Sequence, residues 1–205
     1  MSEPREVAEG LDEVCEGVWH WQIANAAIGG ATSSSHAVAN GGGSVFVDPV
    51  RLAEGALDRL PRPGAVALTA KTHQRSAWRY RREHGAEVWL PADAPEADEQ
   101  PDRTYEEGDE LPGGLVAIRT PGPERPHYSF LLRRQGGVLF VSDLVSHDGS
   151  GKLEYIPLEY HEEPEVTKRT VAGLLDLPFS ILCFSHGPPL RDDPKGALRA
   201  LVERD

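Results

Sequence analysis

The segment from Leu68 to Trp89, "LTAKTHQRSAWRYRREHGAEVW", carries an apolar strand end into a turn bearing His73 and then into an Arg-rich helix. An imidazole at such a turn is suited to ligating a metal or moving a proton. The remaining chemistry-bearing residues do not extend it by spacing alone. His20, His36, His84, His147 and His161 lack ligand spacing with one another, so each reads as a surface or satisfied polar residue. Cys15 and Cys183 lie far apart and neither belongs to a CxxC pair, which argues against a disulfide framework and against a thiolate zinc site. Ser33, Ser34 and Ser35 in "TSSSH" lack the strand, turn and helix around a Gly-flanked serine that a nucleophile elbow requires.

These groups need a scaffold, and 205 residues suffice for one domain, taken as residues 1–205, with a core of its own. Lys and Arg number 21 against 33 Asp and Glu, a net charge of −12 that repels phosphate backbones and anionic membranes, so neither nucleic acid nor membrane is expected as a partner. No apolar run is long enough to span a bilayer, and "MSEPREVAEGLDEV" is acidic where a signal peptide begins basic and then apolar. The expectation is a cytoplasmic protein.

Short β-branched or aromatic runs bounded by Gly, Pro or Asp predict strands at 44–47, 65–68, 87–90, 115–118, 129–132, 138–141 and 181–184. Between some of them lie amphipathic helices. In "DPVRLAEGALDRL" Asp48 is placed to cap and Pro49 to start a helix whose Leu52, Ala56, Leu57 and Leu60 share a face. "PEVTKRTVAGLLDL" repeats the pattern with Val166, Val171, Leu174 and Leu175, and Asp193 with Pro194 opens the last helix. Strand and helix alternate only at the two ends, while 113–143 reads as consecutive strands joined by tight turns. That predicts mixed sheets covered by helices outside. The Pro- and acid-rich stretch 91–114 reads as an exposed connection.

Taken in order, "SVFVDPV", "ALTAKTHQRSA", "TPGPERPHYSFLL", "GVLFVSD" and "ILCFSHGPPL" resemble the metallo-β-lactamase fold superfamily over roughly residues 14–203. The resemblance implies an α/β, four-layer αββα sandwich of two mixed β-sheets flanked by helices, with a metal site along one sheet edge. Active members hold one or two Zn, Fe or Mn ions. Their ligands come from an HxHxDH turn, a His in "PGH", a bridging Asp and a His near the C-terminus. Here the turn positions fall on Ala70, Thr72, Gln74 and Arg75, and the "PGH" histidine falls on Pro123. Only Asp143 and His186 match the family's ligand types. Two ligands do not make a tight zinc site.

His73 stands one place from a family ligand position, and on a helix one residue rotates a side chain by about 100°, which directs it toward a cap or toward solvent. His127 reads as a strand-start histidine. The fold would bring the segments before His36 and His147 to the pocket edge. Asp48 matches a family Asp that caps the following helix. Arg75 occupies a position that the resemblance places beside Asp143 and His186, and is expected to pair with Asp143 in place of an ion.

The first functional reading is therefore a hydrolase-like protein that has lost most of its metal ligands: a pseudoenzyme, or a binder of a small anionic ligand, with Asp143, His186 and Arg75 as its pocket residues and no cofactor. The alternative is a hydrolase of an ester, thioester or phosphoester with one Zn, Mn or Fe ion held by Asp143, His186 and His73. A third reading is a non-catalytic protein-interaction subunit, and a homodimer is left open. The pocket walls would come from loops 22–43 and 146–163, whose conformations composition does not give.

Overall fold

The computed structural model describes residues 3–204; Met1, Ser2 and Asp205 lie outside the described residues. A sheet of seven strands takes them in chain order: β1 (Asp12–Cys15), β2 (Val18–Asn25), β3 (Ala31–Asn40), β4 (Gly43–Val47), β5 (Pro63–Ala67), β6 (Glu87–Pro91) and β7 (Arg103–Tyr105). The first four are antiparallel and the rest join in parallel. Parallel neighbours need crossovers, and α1 (Glu54–Leu57) and α2 (Ala77–His84) lie in two of them. A five-stranded sheet is ordered β14 (Ile181–Cys183), β11 (Val138–Phe140), β10 (Tyr128–Leu132), β9 (Leu115–Arg119) and β8 (Glu110–Leu111). β12 (Val145–His147) and β13 (Leu153–Tyr155) form a separate hairpin. α3 (Pro164–Gly173) and α4 (Pro194–Glu203) follow.

The layering follows from the two-residue period of strands. In β4, Val45 and Val47 enter the core between the sheets while Phe46 packs on the other face with Trp78 and Tyr80 of α2. In β10 and β11, Phe130 and Phe140 face the inter-sheet core, and Leu131 and Leu139 join Val171 of α3 and Leu198 of α4. Three apolar layers between four layers of structure make the αββα sandwich.

Two local expectations are corrected. The helix expected from Asp48 shrinks to Glu54–Leu57 and does not have Asp48 as its cap. Asp48 takes φ 45° and turns its carboxylate to Thr69. The following residues run extended beside the N-terminal segment, with Ala8 N donating to Arg51 O and Ala53 N to Ala8 O, both at 2.9 Å. Stretch 91–114 is more than an exposed connection: it supplies β7 and β8, and Tyr105 and Leu111 are buried in the inter-sheet core. Asp193 does cap α4, accepting from Gly196 N at 3.0 Å. No helix among the described residues is long and apolar enough to cross a membrane.

Candidate metal centre

The parallel pairs decide which residues meet. Val47 pairs with Ala67, so the chain ends leaving β4 and β5 bring Asp48 beside Thr69. Phe140 pairs with Cys183, so Asp143 and His186 leave β11 and β14 on the same edge. Side chains just beyond the carboxyl ends of parallel strands are where this class of sheet builds sites.

At this edge His73 Nε2 lies 3.0 Å from Asp143 Oδ2, and His186 Nε2 lies 3.1 Å from Asp143 Oδ1. One ligand atom from each of the three residues falls within 4.8 Å of the others. The far nitrogen of each imidazole is held from behind. His186 Nδ1 donates to Thr32 O at 2.5 Å. His73 Nδ1 sits 3.0 Å from Asp48 Oδ2, with the hydroxyls of Thr69 and Ser142 at 3.0 and 3.2 Å. Thr69 fixes Asp48 in turn, donating its N–H to Oδ1 at 2.9 Å and its hydroxyl to Oδ2 at 2.6 Å. Asp143 is positioned through its backbone, whose N–H donates to His127 Nε2 at 3.3 Å, while His127 Nδ1 donates to Thr120 O at 2.8 Å. Such outer partners set the tautomer and orientation of ligating imidazoles.

The electrostatics follow from burial and paired charge. Burial opposes an imidazolium at His73, but Asp143 and Asp48 outweigh it and raise its pKa to about 10. Burial would raise the Asp143 pKa, yet His73 and His186 hold it well below the usual carboxylate range. His127, buried against that field, falls to about 4. Asp48, Arg75 and Ser142 all adopt positive φ, of 45°, 37° and 52°. Backbone held in this sparsely populated region clusters at functional sites.

A cation fits between these groups. His186 Nδ1 is committed to Thr32 O, so Nε2 is the nitrogen turned to Asp143 Oδ1, which is buried. A proton or a metal cation between Nε2 and Oδ1, 3.1 Å apart, would satisfy both atoms. Two imidazoles and a carboxylate are a donor set that Zn and similar ions accept, with a position left open for water or substrate.

The expected roles of two residues change. Arg75 does not pair with Asp143: its Nη1 donates to Ser34 O at 2.7 Å and Asp48 O at 3.0 Å, while the residue still lines the cavity. His73 is neither a cap nor exposed. Residues 71–73 form a 3-10 turn and α2 begins only at Ala77, so the α-helical rotation argument does not apply, and His73 points inward at 3% exposure. Thr69, Ser142 and the Thr32 carbonyl were missed, since only tertiary pairing gives them a role. His127 begins β10 as expected, and its contact with Asp143 is a further finding.

A cavity of about 680 Å³ opens over the trio. Its walls come from both loops left undefined by the sequence. Ile28 and Thr32 belong to the β2–β3 hairpin; Ile156, Pro157, Tyr160 and His161 belong to the segment after β13. His147 also lines it, whereas His36 is buried against Phe140 and His20.

This architecture is the metallo-β-lactamase fold. The DIM-1 metallo-β-lactamase superposes with a TM-score of 0.75 at 14% identity, covering 97% of this chain and 99% of that one. A metallo-β-lactamase from Pontibacter korlensis gives 0.74 at 15% identity, covering 96% and 99%. FIM-1 from Pseudomonas aeruginosa, in its mono-zinc form, gives 0.68 at 19% identity, covering 98% and 97%. No protein-family model matches the sequence, and no curated protein matches it.

Proposed function

We propose that this chain is a hydrolase of an ester, thioester or phosphoester that works with one divalent ion held by His73, Asp143 and His186. The observation that carries the reading is the convergence of His73, Asp143 and His186, one ligand atom from each within 4.8 Å of the others, with the far nitrogen of each imidazole held from behind. A bound ion would lower the pKa of a coordinated water enough to make a nucleophile near neutral pH. The chain's own residues do the positioning: Asp48 aims His73, Thr32 O aims His186, and His127 fixes the Asp143 backbone. The cavity above leaves the trio open to substrate. That FIM-1, of the same fold, exists in a mono-zinc form supports a one-ion arrangement.

The deciding measurement is metal content per chain by plasma mass spectrometry, on protein purified without chelator or nickel and again after soaking in Zn, Mn and Fe. About one ion per chain is expected, with loss of that ion in Asp143→Ala and ester turnover only in the loaded protein. No ion under any condition defeats the reading and returns the chain to a metal-free pseudoenzyme or anion binder.

A further inference from the structure

The loop before β10 brings to the cavity wall a carboxylate that the metal trio does not use. Glu124 is half-buried and lines the cavity, as does Thr72, whose hydroxyl donates to Glu124 Oε1. The bond joins this loop to the turn that carries His73 and holds the carboxyl beside the trio, where His73 and Asp143 both act on its charge. Backbone bonds pin the loop itself: Gly122 O and Pro123 O accept from Glu163 N and Glu162 N at 2.9 and 3.0 Å. The other carboxylate oxygen, Oε2, makes no described hydrogen bond or ion pair and is not sealed from solvent. An ionised carboxylate only accepts, so this oxygen is open to a donor or a cation.

Nothing on the protein side neutralises it fully. Burial raises the Glu124 pKa, the Thr72 hydrogen bond and His73 lower it, and Asp143 and Glu162 add like charge. Among the described residues, Arg75 is the only Lys or Arg that lines the cavity, and it is 5% exposed with Nη1 on Ser34 O and Asp48 O. The rest of the mouth is largely hydrocarbon: Ile28, Ile156, Pro157 and Tyr160, the last 75% exposed. An ion held by the trio would present positive charge to an ester carbonyl, and the carboxylate beside it presents negative charge. A substrate that complements both is cationic away from its carbonyl.

We infer that Glu124 Oε2 receives a cationic group of the substrate, so that the preferred substrate is an ester or thioester carrying an ammonium on an otherwise apolar body. The inference rests on the hydrolase reading of the same cavity. Glu124 is a specificity-determining residue here and takes no proton in the reaction.

Two matched pairs of probes, each differing only in charge, test it. The first is acetylthiocholine and S-(3,3-dimethylbutyl) thioacetate, in which carbon replaces the quaternary nitrogen; release of the thiol is followed by colour. Metal-loaded protein is expected to favour the cation about fivefold, the order of one partly screened charge pair, through KM rather than kcat, and by less as salt rises. Glu124→Gln keeps an acceptor for Thr72 and removes the charge, so the preference vanishes at unchanged stability, whereas Glu124→Asp retains part of it. The second pair, choline and 3,3-dimethylbutan-1-ol, is titrated into zinc-soaked protein by NMR chemical shift and needs no turnover. If neither thioester is hydrolysed, the hydrolase reading fails for this class and the NMR titration alone decides the role of Glu124. Tighter binding of choline that Glu124→Gln abolishes supports the inference. Equal binding of the pair, binding of neither, or a preference that survives Glu124→Gln overturns it.

Discussion

Replacing Arg75 by Met separates a structural cation from a ligand-holding one. The guanidinium is 5% exposed and its Nη1 donates to Ser34 O and Asp48 O. Met fills a comparable volume without a donor, so both buried carbonyls lose a partner. Asp48 O keeps the Ser35 hydroxyl at 2.8 Å and loses about 0.5 to 1.5 kcal/mol, while Ser34 O is left worse off at about 1 to 3 kcal/mol. Asp48 and Asp143 also lose a positive field that reaches both. The expected destabilisation is about 2 to 4 kcal/mol, a fall in Tm on the order of 10 °C for a chain of this length. Urea denaturation followed by tryptophan fluorescence measures it, with metal content determined on the same protein. The reasoning predicts lower stability at unchanged metal content, because Arg75 touches neither His73, Asp143 nor His186 through a described hydrogen bond. A variant as stable as the parent would refute the clamp. Loss of the ion at parental stability would place Arg75 within the metal centre instead.

Other consequences follow from the same coordinates. Burial lowers the His20 pKa to about 4, against Asp12, which raises it, and with Arg191, which lowers it; its ring also faces His36. An unfolded histidine titrates near 6.5, so the unfolded chain binds the proton first and stability falls as pH drops from about 6.5 to about 4. The contribution is about 3 kcal/mol. Denaturation midpoints across that window should fall less steeply in His20→Gln, with the buried His127 keeping part of the slope, and an unchanged slope would show that His20 is not a cause. Gly187 holds φ 111°, and a Cβ there would stand 1.6 Å from His147 O. Gly187→Ala should cost about 3 kcal/mol or more and, by displacing the neighbouring His186, lower metal content; a stable, fully loaded variant would contradict this.

The strands were readable because each sheet residue declares its face by a period of two, and β-branched runs bounded by Gly or Asp leave few alternatives. The helix after β4 misled because its cap and first proline are local signals. A tertiary bond from Asp48 to Thr69 and pairing of Leu52 with Ala8 outweigh them. The site was legible where the family resemblance matched residue types, at Asp143 and His186, which the structure brings together with His73. His73 was misdirected by an argument valid on a continuous helix, and the Arg75 backbone at φ 37° interrupts that helix. Hydroxyls such as Thr69 and Ser142 carry no signal until β5 and β11 bring them within 2.7 Å of each other.

Four of the positions that the sequence resemblance sets against metal ligands are not idle in this chain. Ala70 is fully buried and bridges to His127. The Thr72 hydroxyl is bonded to Glu124. Gln74 Oε1 accepts from Trp78 Nε1 at 2.9 Å and from Asp98 N at 2.8 Å, joining α2 to the loop after β6. Pro123 O accepts from Glu162 N at 3.0 Å, which ties the loop before β10 to the wall that bears His161. A metal ligand at Thr72 or Gln74 would abandon a side-chain hydrogen bond, and one at Ala70 would need room in a fully buried site. His73, in contrast, is caged at Nδ1 and turns Nε2 to Asp143 Oδ2 at 3.0 Å. Restoring a histidine at Thr72 alone should therefore not create a second site: it would remove a bond to Glu124 and find no second side-chain ligand at Ala70 or Pro123. Metal content of Thr72→His should stay at about one ion per chain, since two neighbouring ligands are still missing from any tetrahedral set. A second equivalent of bound metal would show that the packing around Gln74 and Pro123 yields more readily than its hydrogen bonds imply.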